Sequence, residues 1–159
     1  MLVKDAQVIR LVERISEHYR TNISNRFIRP SLLQLPLEKQ TWDLIETLTE
    51  KVEAYRYQGF HMDELYREIV AAAHFVSVVR RDLAPTLRSR LSGAGAGPDR
   101  VIREMAVNNF NSNLQVFADM VNELYVMLVE MDKNSAKGRR PLYMSIPRID
   151  EVGRLLVGN

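Results

Sequence analysis

The chain has no cysteine among its 159 residues. That excludes a disulfide framework, a thiolate nucleophile, a cysteine-ligated zinc and a redox pair. Glycine and proline are scarce, at 7 and 6, and fall mostly at joints between periodic segments, as a helical chain would place them. Long apolar runs are missing too. No window reaches the roughly 18 apolar residues of a membrane span, and the opening Met1-Leu2-Val3-Lys4-Asp5 has no signal-peptide stretch. The expected location is the cytoplasm, with no membrane span. A local absence stands out as well: no Lys or Arg occurs between Glu104 and Asp132, although the chain carries 22 of them.

What is present is an ordinary globular composition, 46% apolar and 26% charged, enough for one compact domain with its own core. The net charge of +2 decides nothing by itself, but its distribution alternates in blocks. Residues 38–70 and 104–132 are acidic, and residues 1–30, 76–103 and 133–159 are basic. Neighbouring helices that complement one another electrostatically would give this pattern.

Apolar periodicity predicts four helices. Val8, Leu11, Val12, Ile15 and Tyr19 form one stripe of a helix from about Lys4 to Tyr19 or Arg20. Thr21 to Pro36 reads as a long connection, because Asn22 and Asn25 disfavour helix interiors and Pro30 and Pro36 restrict the backbone. Leu37, Thr41, Leu44, Leu48, Val52 and Tyr55 predict a second helix ending before Gly59, with Trp42 and Ile45 widening its apolar face. Leu65, Ile69, Ala72, Val76, Val79 and Leu83 predict a third from about His61. Ser92-Gly93-Ala94-Gly95-Ala96-Gly97-Pro98 is a flexible linker. It leads to a long fourth helix, Asp99 to Asp132, whose seam is Phe110, Leu114, Phe117, Val121, Leu124, Leu128 and Met131. A kink is expected in the Asn-rich run from Asn108 to Asn113. The expected fold is all-α: an antiparallel four-helix bundle over residues 1–133, with the linker 92–98 inside it. An irregular C-terminal tail over 134–159 packs on the bundle or on a partner and ends in a short helix from Asp150 to Val157.

Reactive chemistry finds little support. The glycine-rich linker lacks a preceding strand and a following Lys-Ser or Lys-Thr, so it is not a phosphate loop. His18, His61 and His74 do not form Glu-x-x-His pairs, so no metal and no cofactor is expected. Asp119, Glu123 and Glu130 share one side of the fourth helix and read as its solvent face. No catalytic residue is assigned.

Three clusters carry the remaining functional expectations. Asn109 and Asn113, four apart, form a polar layer at the edge of the core that could fix register or partner choice. Arg80, Arg81, Arg88, Arg90, Arg100 and Arg103 flank the linker and offer an alternative polyanion surface, although no aromatic residues interleave with them. The tail joins Arg139 and Arg140 to Leu142, Tyr143, Met144 and Ile146, more apolar bulk than a free polar tail needs. The expected function is therefore a non-catalytic interaction or assembly module using the fourth helix and the tail. Its partner is another protein or a second copy, with the apolar tail residues buried in a groove and the arginines steering. The alternatives are a nucleic-acid-binding bundle and a small enzyme with an inter-helix site.

Overall fold

The structure, a computed structural model, describes residues 2–23, 52, 57–83, 98–146 and 149–158. Most of the expected second helix, the linker 92–97, Arg88 and Arg90 lie outside these residues. The regular elements of the described residues are helices apart from one small antiparallel pair, β1 (Leu2–Val3) with β2 (Phe60–His61), in the register Leu2 with His61 and Val3 with Phe60.

Helix α1 (Ala6–His18) starts at Asp5, whose carboxylate accepts the N–H groups of Gln7 at 2.8 Å and Val8 at 3.3 Å. These are free donors of the first turn, so the cap sets where the helix begins. Val8, Leu11, Val12 and Ile15 are buried, as their spacing predicts. The chain does not loosen into a connection at Thr21. It widens into a π-helical turn over Tyr19–Ile23, which buries both Tyr19 and Ile23. Burial of these two side chains outweighs the preference of Asn22 against a helix, and the Asn22 amide nitrogen meets His18 Nδ1 at 3.0 Å.

Gly59, at φ +79°, precedes β2. A Cβ there would lie 2.9 Å from the Val3 carbonyl oxygen, so only glycine lets the strands approach. Helix α2 (Met62–Val78) buries Leu65, Ile69, Ala72 and Val76 of the predicted stripe and passes into a second π-helical turn, Val79–Leu83.

Helix α3 (Pro98–Ser135) is 38 residues long, about 57 Å at the usual rise. It stays helical through the Asn-rich run from Asn108 to Asn113. Phe110, Leu114, Phe117, Val121, Leu124 and Leu128 are buried, and they are joined by Ala118 and Met120. The predicted seam closes differently: Met131 is half-buried and Asp132 is fully buried. A step of four from Leu128, rather than three, continues the inward line. Before Phe110 the described side chains Val101, Glu104, Met105, Asn108 and Asn109 are all exposed.

Helix α3 receives α1, α2 and the short helix α4 (Ile149–Val157). It runs antiparallel to α2, because Tyr66 at the start of α2 reaches Asp132 while Phe75 near its end meets Phe117. At the latter end Tyr19, Phe75 and Phe117 form an aromatic cluster with centroids 5.7 to 6.3 Å apart, two of the pairs edge-to-face. Such pairs add about 0.5–1.5 kcal/mol each beyond their buried area. Val52 is the one described residue of the second stripe, and it joins this core.

Candidate interaction surface

The tail does not hang free. After α3 it turns through 136–141, makes a single 3-10 turn at Leu142–Met144, and continues into α4. Its anchor is Asp132. One carboxylate oxygen accepts the Leu142 N–H at 3.0 Å, and the other accepts the Tyr143 N–H at 2.8 Å and the Tyr66 hydroxyl at 3.1 Å. The Arg139 guanidinium adds an ion pair at 3.8 Å. A buried carboxylate is costly unless its acceptor sites are filled, and here they are filled by groups from α2 and from the turn. Burial, reinforced by the Asp132 charge and hydrogen bond, holds the Tyr66 hydroxyl well above the ordinary tyrosine range. The carboxylate thereby ties together the end of α3, the start of α2 and the turn.

Around this anchor Leu142, Tyr143 and Ile146 are half-buried against the core, and Lys133 lies over the Tyr143 ring at 5.7 Å. Met144 is 48% exposed, and Lys137, Arg139 and Arg140 also face solvent. The two arginines brace the turn from outside. Arg139 Nη1 donates to the Arg140 carbonyl and Arg140 Nη2 to the Met144 carbonyl, both at 3.3 Å. The expected tail group is thus divided into an inward set, Leu142, Tyr143 and Ile146, and an outward set, Arg139, Arg140 and Met144.

Helix α4 buries Ile149, Val152 and Leu156. Its C-terminal carbonyls are taken by Arg80: Nη1 donates to Leu155 O at 3.1 Å and Leu156 O at 3.2 Å, and Nη2 to Gln115 Oε1 at 2.6 Å. Gln115 in turn donates to Asp119 at 2.8 Å. A cation here offsets both the unpaired carbonyls and the negative end of the helix. Burial lowers the Arg80 pKa, with Asp119 opposing the shift.

Arg81 is exposed beside Arg80. Arg100 and Arg103 occupy the first turns of α3, where only their helical positions are described. Asn109 is exposed and Asn113 half-buried. It is the Asn113 backbone carbonyl, not its amide, that receives His18 Nε2 at 2.8 Å. His61, His74, Asp119, Glu123 and Glu130 are exposed. Among the described residues no group of three His, Asp or Glu is placed to hold a metal ion. A crevice lined by Ser16, Glu68, Ala72 and Phe117 has a volume of about 10 Å³, too small for an organic ligand. No described helix is long and apolar enough to cross a membrane.

Sequence reasoning did not single out Asp132, Tyr66 or Arg80 as anchors. A signal for Asp132 was present: a carboxylate in the last turn of a helix opposes the helix dipole, and this one falls four residues after Leu128, on the buried line. No protein-family model, no curated protein and no solved structure matches the chain.

Proposed function

We propose that the chain is a non-catalytic interaction module whose contact surface is the outward face of the C-terminal turn, together with the exposed edge of α3. The observation that carries this reading is the turn itself. Lys137, Arg139, Arg140 and Met144 are exposed on a short segment whose backbone is fixed by the buried Asp132. A surface fixed before binding loses less conformational entropy on association. Met144 supplies an adaptable apolar tip and the basic groups supply steering, so the fitting partner is an acidic protein surface with a shallow apolar socket. Val126, exposed on α3 seven residues before Lys133 and therefore on the same helix face, extends the apolar contact available.

The test is fluorescence anisotropy with labelled acidic peptides that contain one apolar anchor. The triple variant Arg139→Ala, Arg140→Ala, Met144→Ala should bind at least about tenfold more weakly, with affinity falling as salt rises. Equal binding by the variant and the wild type would remove the turn from the interface. Preferential binding of an oligonucleotide of equal charge would favour the nucleic-acid reading instead.

A further inference from the structure

The inward face of the same segment leads to a second conclusion, which goes beyond the reading above and does not depend on it. We propose that residues Leu142 to Val157 form an exchangeable arm that can occupy the same seat on a second copy of the chain. The seat is built entirely from parts that precede the arm: Asp132 and Lys133 at the end of α3, Tyr66 on α2, and Arg80 and Gln115 at the far end. It binds the arm at both ends through backbone groups. Asp132 takes the N–H groups of Leu142 and Tyr143, and Arg80 takes the carbonyls of Leu155 and Leu156. Between these points Ile149, Val152 and Leu156 are buried and Leu142, Tyr143 and Ile146 half-buried. An arm of identical sequence from another copy satisfies every one of these contacts.

The arm is joined to its seat by residues 136–141, which precede the amides held by Asp132. Individually weak contacts keep this loop closed: the solvent-facing Arg139–Asp132 ion pair at 3.8 Å, the bonds of Arg139 and Arg140 to the Arg140 and Met144 carbonyls at 3.3 Å, and two local backbone bonds. Lys137, Gly138, Arg139 and Arg140 are exposed, and the loop's local backbone bonds are Lys137 N–H to Ser135 O and Arg139 N–H to Ala136 O. Gly138 adopts φ +72°, and no atom lies within 4 Å of where its Cβ would stand. Because exchange conserves the seat contacts, the closed and exchanged forms differ chiefly in this loop and in the entropy of association. The occupant is therefore a second copy, since its arm carries the required amides, carbonyls and apolar spacing by construction.

Gly138 provides the handle. A Cβ there has no neighbour within 4 Å, but a β-branched residue is strained at positive φ, so it penalises the closed turn. Each exchanged dimer relieves two such turns. In the intact chain, Gly138→Val should lower the dimer dissociation constant roughly 30-fold or more. Sedimentation velocity across a concentration series would show a species of twice 18.4 kDa. Because the chain has no cysteine, exchange can be read directly by mixing a Ser112→Cys copy with a Val157→Cys copy and adding a short bis-maleimide. Both positions are exposed, Ser112 lies one turn before Gln115 on α3, and Val157 follows the carbonyls that Arg80 holds. Intermolecular product that grows with concentration and incubation time supports exchange, including in the otherwise wild-type background should Gly138→Val fail to fold. A Gly138→Val chain that stays monomeric while melting at a lower temperature overturns it, as do dimers that give no crosslink. Met144→Ala alone, which weakens the outward face but leaves the hinge arginines in place, should exchange normally, so failure of the partner reading and failure of exchange are separable.

Discussion

Replacing Asp132 by alanine should cost more stability than any other single truncation of a polar group in the described core. The carboxylate accepts from two backbone amides and from Tyr66, and it is fully buried. Deleting it strands the Tyr66 hydroxyl, itself fully buried, without an acceptor. The Leu142 and Tyr143 amides are half-buried and regain some bonding to water. The desolvation of a buried charge is also relieved, which offsets part of the loss. Removing one member of such a group ordinarily costs about 3–5 kcal/mol. Asp132→Asn keeps one acceptor oxygen but sets an amide against a donor, so an intermediate loss of about 2 kcal/mol is expected. Tyr66→Phe removes a single donor and leaves the two backbone bonds, for about 1–2 kcal/mol. Urea unfolding followed by circular dichroism measures the three values, and amide hydrogen exchange shows whether residues 142 and 143 lose protection in Asp132→Ala. Losses under about 0.5 kcal/mol for both Asp132→Ala and Tyr66→Phe would refute the anchor, because surface substitutions fall in that range.

Alkaline pH should destabilise the fold. Burial, then the Asp132 charge and hydrogen bond, raises the Tyr66 pKa, and burial followed by Asp150 and Tyr143 raises that of Tyr125. Unfolded tyrosines lose their protons near pH ~10 while these folded ones keep theirs, so their stabilising effect is complete below that pH and declines above it, by up to about 1.4 kcal/mol per pH unit for each group. Urea unfolding between pH 9 and 11 should show the decline, and Tyr66→Phe should make it shallower. Arg80→Ala should cost about 1–2 kcal/mol by freeing the α4 carbonyls, seen in thermal unfolding and in faster exchange at the end of α4. Arg80→Lys should not restore it, because one ammonium cannot span two carbonyls and the Gln115 amide.

The helical character of the chain was legible wherever apolar residues recur at three and four. The stripe of α1, that of α2 and its following turn as far as Val79, and the seam of α3 as far as Leu128 were legible residue by residue, because burial and spacing point the same way there. The π-helical turns were not legible. Asn22 argues against helix by local preference, and only the tertiary pull on Tyr19 and Ile23 overrides it. The strand pair of Leu2–Val3 with Phe60–His61 was also missed, since two residues carry no period. At the candidate surface the sequence showed that the tail is both basic and apolar, but not which residues turn inward. That division follows from Asp132, a long-range partner that local pattern cannot reveal. Arg80 shows the converse: it read as one charge in a basic cluster, and the fold makes it a helix cap.

The central placement of α3 has a consequence for biosynthesis. Tyr19 emerges 98 residues ahead of Phe117, its aromatic neighbour, a delay of roughly 5–20 s at ordinary rates of translation. His18 likewise precedes Asn113 by 95 residues, and Tyr66 precedes Asp132 by 66. For that interval the apolar stripes of α1 and α2 lack the surface that later covers them. The nascent chain is thus most prone to aggregation, and most dependent on chaperones, just before α3 is completed.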